Sequence, residues 1–522
     1  KTTLIGENQT PPPPPPKKKK KIKSKLHKLK MLPNSSKPAS SSSSSSLVIH
    51  NELYIWAIGL LLLLCTTVEG RQVGVGGSGG GGSWVNVEYR AVNCRKHSAF
   101  VTDFGAKGDG KTLNTNAFKS AIDHLSKLAP DGGAQLIVPR GRWLTGSFSL
   151  ISHFTLFLHR DAVLLASQNV KDYPVLAPLP SYGKGRDAPA GRYASLIFGT
   201  NLTDVVITGN NGTMDGQGEW WWEKYKAKEL TETRPYLIEL MYSNDVQITN
   251  ITLRDSPNWN VHPVYCNNLI IHGLTILAPT HSKNTDGIDP DSCSNVWIEN
   301  NYIVSGDDCI AIKSGWDEYG IKFNMPTQHV IIRHLTCISP TSATIALGSE
   351  MSGGIRDVRA EHITAIDTES AVRIKTSPGR GAFVKDIYVR HVTMKTMKYV
   401  FWITGHYGSD PDNKFNPHAL PDVENINYRD MVAENVTMAA NLEGIRGDAF
   451  KGVCISNVTI GLSKKPKEIQ WNCTDIEGVT SQVTPRACGA LRERNGVECP
   501  FPEDKLPIES VQLRACFAPS LH

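Results

Sequence analysis

Beyond residue 70 the sequence has no long apolar run, no block of basic charge, no CxxC pair and no zinc-finger cysteine–histidine spacing. Each absence removes a class. Without the apolar run, no later segment crosses a membrane as a helix. Without the basic block, nucleic acid is not an expected partner, because phosphate binding needs clustered Lys and Arg. Without the metal and redox spacings, the cysteines point neither to a zinc site nor to a dithiol motif. The formal net charge of +6 is carried by one end of the chain. Residues 1–70 hold 11 Lys and 3 Glu, a net of +8, which leaves −2 on residues 71–522.

That end is itself poor in anything that could fold. Polyproline, polylysine and polyserine runs follow one another at 11–16, 17–21 and 40–46, and low-complexity sequence of this kind buries nothing. The first methionine is Met31, so residues 1–52 are expected to be leader absent from the mature protein. "LYIWAIGLLLLLC" (53–65) is too short for a comfortable span and suits the core of a signal peptide extending over 53–70. An uncleaved anchor at 53–68 is the alternative. A Gly/Ser-rich linker follows at 71–88.

Once the signal core is removed, ten cysteines remain, an even number that favours disulfides in an exported chain. Six glycosylation sequons, at Asn201, Asn211, Asn250, Asn435, Asn457 and Asn472, point the same way.

What the folded part does contain is repetition. Residues 115–127 read as one amphipathic helix, with Phe118, Ile122 and Leu125 on one face. Strand signals dominate thereafter. "DVQITNITLRDS", "NLIIHGLTILAP", "NVWIENNYIVSGDD", "HVIIRHLTCISP", "DVRAEHITAIDT" and "DIYVRHVTMKTM" share one shape: a short strand, a polar turn, a second short strand and a break. Their first apolar positions are Val246, Leu269, Val296, Val330, Val358 and Ile387. A period of roughly 20–35 residues with strands and no long helix marks a solenoid, and a parallel β-helix fits best. The fold class is therefore all-β, a parallel β-helix with a short N-terminal capping helix. The helix domain is expected over 89–475, with a cysteine-containing C-terminal cap over 476–522.

Acids concentrate in one part of this solenoid. "NTDGIDPDSC" and "GDDCIAIKSG" bring Asp286, Asp289, Asp291, Asp307 and Asp308 within one coil length. Adjacent coils lie about 4.8 Å apart, so Asp286, Asp307 and Asp308 can converge on one face. Two coils further on, "RIKT" places Arg373 and Lys375 on the same side of a strand. Asp at β-helix turns often only caps backbone. "DGIDPD" also suggests Ca²⁺, but the EF-hand frame is missing and no metal site or cofactor is expected. The adjacent pair Asp307–Asp308 is harder to explain structurally, because neighbouring acids raise one another's pKa and let one serve as a proton donor.

These segments, with "DFGAKGDGKTLNTNAF" (103–118), "GTMDGQGEWWW" (212–222) and "DSPNWNVHPVYC" (255–266), resemble the signature segments of family 28 glycoside hydrolases, the polygalacturonases and their plant relatives. The resemblance implies a right-handed parallel β-helix that hydrolyses α-1,4-galacturonosyl bonds of pectin with inversion. It implies Asp307 as general acid, Asp286 and Asp308 as the water-activating pair, and Arg373, Lys375 and Tyr407 as substrate-binding residues. It also implies a Cys309–Cys337 disulfide, for which the one-coil separation is suitable. One departure stands out: where the family has Gly-His-Gly, this sequence has Ser342-Ala343-Thr344. "GWDEYGIKFNMPTQ" (315–328) reads as an insertion near the cleft. The expected protein is a secreted, glycosylated, monomeric enzyme acting on a pectic polysaccharide. The alternatives are a pectin-binding β-helix with lost activity or a glycosidase for another polymer such as rhamnogalacturonan.

Overall fold

The computed structural model describes residues 95–183, 191–408 and 414–511. The expected leader, signal peptide and linker, together with Cys94 and Cys516, lie outside the described residues.

The six apolar positions picked out by the repeat stack on one another. Parallel register pairs Val246 with Leu269, Leu269 with Val296, Val296 with Val330, Val330 with Val358 and Val358 with Ile387. All six are buried. Each such side chain contributes about 1.5–3 kcal/mol by leaving water, and because every coil repeats the position, the core is one continuous column. The result is a right-handed parallel β-helix whose largest sheet has 23 strands. The α-helix Thr115–Ser126, which precedes most of the β-helix coils in the chain, buries Phe118, Ile122 and Leu125 in the same core.

The expected breaks between short strands are absent from the later coils. Ile355–Lys375, Phe383–Thr404 and Asp422–Glu443 each run as one strand round the coil. They bend at single residues in the left-handed region: Asp357, His362 and Asp367, then Asp386, His391 and Thr396, then Asn425, Asp430 and Asn435. Asn, Asp and His adopt this conformation several-fold more readily than other side chains. Three corners per coil therefore need no loop.

The ladder passes residue 475, through Ile476–Thr484 to Leu491–Glu493. The following segment folds back onto the outer wall. Leu506 and Ile508 pack on Ile270, Trp297 and Ile331, and Arg333 bonds Glu509 at 2.7 Å. Disulfides join Cys309 to Cys337, Cys454 to Cys499 and Cys473 to Cys488. Cys266 and Cys293 depart from the expectation of general pairing: both are buried free thiols. Each donates to main-chain carbonyls, Cys266 to Leu240 and Val264, Cys293 to Pro263 and Asp291. Five sequon asparagines are exposed, whereas Asn472 is half-buried and donates to Asn441 and Glu443. No helix among the described residues is long and apolar enough to cross a membrane.

Candidate active site

The acids lie where consecutive coils stack. Val261 bridges to Ile288 and Ile288 to Ile310, and the Gly287 amide donates to the Asp308 carbonyl. Gly306 permits this crowding, since a Cβ there would stand 2.0 Å from the Ser282 carbonyl oxygen. Asp286, Asp307 and Asp308 consequently bring one carboxylate oxygen each within 4.8 Å of the others. Asp286 and Asp308 are buried, and Asp307 is the half-buried member.

Their surroundings separate them. Asp308 accepts from Ser342 Oγ, from the Ala343 amide at 2.9 Å and from Lys375 Nζ. Burial alone would push its carboxyl up, but Lys375, Ser342 and Ala343 together hold it below the usual range. Asp286 goes the other way. Burial, then the charges of Asp307 and Asp289, push it well up, with Lys313 opposing. Its Oδ1 has no hydrogen-bond partner. Asp307 accepts from the Asn284 amide at 3.2 Å and from its neighbour's amide at 3.0 Å. Ser342 Oγ also lies 3.1 Å from Asp307 Oδ1, so one hydroxyl bridges both adjacent acids.

Outward-facing positions on the same strands read Ala311, Ala346, Arg373 and Trp402 from coil to coil. Ala311, Ala343 and Ala346 pack together beneath the charged groups. Arg373 lies over Trp402, 3.5 Å from the ring centroid, and 5.5 Å from that of Tyr407. Lys375 Nζ is 5.8 Å from the Tyr407 ring. The "RIKT" pair is thus not idly solvated: Lys375 is buried against Asp308, and the half-buried Arg373 stands between two aromatic rings. All the site residues read from sequence, Asp286, Asp307, Asp308, Arg373, Lys375 and Tyr407, belong to this one constellation.

Four further members had no role assigned from sequence, although all four, Asp289 and Ser342 among them, stood in the quoted segments. Lys313, from the quoted "AIKSG", is buried with Nζ 3.4 Å from Asp289 and Glu350 and 3.8 Å from Asp286. Although burial disfavours its charge, Glu350, Asp289 and Asp286 hold it well above the usual lysine range. Asp289 is pushed up to about 7, mainly by burial. His262 sits between Glu239 at 3.0 Å and Asp291 at 3.4 Å, and against burial these carboxylates bring it to about 9. Ser342 is the fourth, and its place beside the missing histidine was the available signal. Ala343 itself contributes its amide, while its side chain is enclosed by the other alanines.

A pocket of about 400 Å³ opens beside the acids, lined among others by Tyr182, Arg234, Tyr236, Trp259 and Asn284. Arg234 donates to Asn284 Oδ1 at 2.8 Å and so fixes the residue whose amide reaches Asp307. The "GWDEYGIKFNMPTQ" segment forms the short helix Asp317–Phe323 on this side, where Phe323 packs on Tyr265.

The family model of the glycosyl hydrolases family 28 matches residues 185–484. The chain belongs to this family. A probable polygalacturonase of Vitis vinifera is 65% identical over 433 residues, covering 82% of this chain and 88% of the relative. Polygalacturonase-2 of Solanum lycopersicum is 26% identical, covering 75% and 80%. Among solved structures, an exopolygalacturonase from Thermotoga maritima superposes with a TM-score of 0.63 at 28% identity, covering 73% of this chain and 90% of that one. The chain is a glycoside hydrolase of the polygalacturonase type.

Proposed function

We propose that this family 28 hydrolase cleaves α-1,4-galacturonosyl bonds of pectin, with Asp307 as general acid and Asp308 as the first acceptor of the water's proton. The observation that carries the reading is the separation of three clustered carboxyls. Asp308 is held ionised by Lys375, Ser342 and the Ala343 amide, while Asp307 alone is open toward the cleft. A base must be ionised at working pH and a donor must reach the glycosidic oxygen. Asp307 passes its proton to that oxygen, water attacks the anomeric carbon, and Asp308 takes the water's proton. Asp286, from the facing coil, orients the same water. Ser342, touching both adjacent acids, is placed to return the proton from Asp308 to Asp307 after each turnover.

Arg373, stacked on Trp402 beside Tyr407, supplies a planar cation for a sugar carboxylate. Lys375 adds positive potential at the same place while holding Asp308. Inversion rests on family membership, since oxygens within 4.8 Å are closer than the roughly 6.5–9.5 Å usual between inverting carboxylates. Export to the cell wall accords with three disulfides and exposed sequons. The test is reducing-end release from polygalacturonate and rhamnogalacturonan, with product sizes resolved. Release from polygalacturonate supports the reading. Release from rhamnogalacturonan alone overturns the substrate, and binding without release from either substrate overturns the activity.

A further inference from the structure

Three consecutive coils carry a histidine at the same corner. "RHLT", "EHIT" and "RHVT" place His334, His362 and His391 at spacings of 28 and 29 residues, one per coil. All three are exposed and in the left-handed region, with φ of 50°, 57° and 53°. The corner demands that conformation but not histidine. In neighbouring coils it is filled by Asn250, Gly273, Asn300, Asp430 and Asn457. The three imidazoles stack face to face, with centroids 5.1 Å and 5.0 Å apart and planes inclined by 5° and 21°.

Each ring turns Nε2 toward a carboxylate: His334 to Glu299 at 3.8 Å, His362 to Glu361 at 4.0 Å and His391 to Asp430 at 3.7 Å. One ligand atom each from Glu361, His362 and His391 lies within 4.8 Å of the others. The opposing charges are Arg429 beside Asp430 and Arg333 and Arg390, which both bond Glu361. The last two occupy that carboxylate, and Asp430 is likewise engaged by Arg429 at 3.4 Å and Asn457 at 2.7 Å, which leaves the imidazoles as the available donors. A neutral imidazole is the form that ligates a metal.

We propose that this histidine ladder binds one borderline transition-metal ion (Cu²⁺, Zn²⁺ or Ni²⁺) through two adjacent imidazoles, His362 and one neighbour, whose exposed rings turn out of their stack to aim both in-plane lone pairs at the ion. Nitrogen donors select such ions over Ca²⁺ and Mg²⁺. The site is separate from the acids. His362 and Lys375 share the strand Ile355–Lys375, but the corner at Asp367 lies between them.

His362 is common to both adjacent pairs, and this gives the test its form. Without it, His334 and His391 stand two coils apart, about 9.6 Å at strand spacing, too far to share an ion. Full-length protein freed of metal by a chelator is titrated with Cu²⁺ and followed by electron paramagnetic resonance. Wild type is expected to bind one ion with coupling to two nitrogens. His362→Asn keeps a residue the corner accepts and is expected to weaken binding roughly 100-fold or more, the loss of a chelating second donor. His334→Asn leaves the His362–His391 pair and is expected to lose far less. In wild type, lowering the pH through the imidazole range near about 6.5 should release the ion. Equal affinity in wild type and His362→Asn, a spectrum without two-nitrogen coupling, or retention of the ion in acid would each overturn the site.

Discussion

The cleft and the outer wall of the same β-helix both hold dense clusters of charge, and they are built on opposite principles. On the wall, Glu361 takes a 2.7 Å bond from Arg333 and a 2.8 Å bond from Arg390, and Arg333 reaches on to Glu509. Despite its burial, the two guanidiniums hold Glu361 below the usual glutamate range. In the cleft, Asp286 Oδ1 and both oxygens of Asp289 have no hydrogen-bond partner, and Lys313 approaches Asp289 only to 3.4 Å. A buried acid left short of partners costs stability. A wall of matched charges holds a segment in place. A cleft of unmatched ones keeps protons in unusual places, which is what a hydrolase needs.

Removing one charge from each region breaks the comparison most sharply. Lys375→Met takes away the strongest support for ionised Asp308. Its pKa rises, so the acid limb of the pH–rate profile moves to higher pH, and activity on polygalacturonate near pH 5 falls by about 10²-fold. A profile that only scales down, without moving, would reduce Lys375 to a binding residue. On the wall, Glu361→Gln should cost about 1–3 kcal/mol of stability and leave the pH–rate profile unmoved. Because the folded-state pKa of Glu361 is depressed, its contribution is present above the unfolded value near about 4.3 and is lost as pH falls through the folded value. Denaturant unfolding of wild type and variant should converge in acid. The smallest effect is expected from Ser342→Ala, which removes the hydroxyl shared by Asp307 and Asp308. A few-fold loss of turnover with a slight upward move of the acid limb would place the hydroxyl in proton return. An unchanged profile would leave it structural.

The repeat was legible because a β-helix writes its core once per coil, so Val246 to Ile387 could be aligned by eye and the structure stacks them in that order. The convergence of Asp286 and Asp308 followed from the same period. What sequence concealed was sidedness. Lys313 looks like an ordinary strand lysine and Lys375 like a substrate-binding one, and only the fold shows both turned into the acid cluster. The long strands were hidden because a single left-handed Asp or His makes a corner that reads as a break. Ala343 looked like a lost function, yet its amide and the Ser342 hydroxyl both serve Asp308. Main-chain donors leave no mark in a sequence.

The central claim is that Asp307 donates the proton, and one substitution addresses it directly. Asp307→Asn keeps the shape and, through its one amide oxygen, a single one of the two bonds that Asp307 accepts from the Asn284 and Asp308 amides, but has no acid to give. Initial rates of reducing-end release from polygalacturonate are measured for wild type and variant, with oligogalacturonide binding measured in parallel. The account predicts loss of turnover by about 10³-fold or more with affinity nearly unchanged. Turnover by Asp307→Asn at the wild-type rate would contradict it.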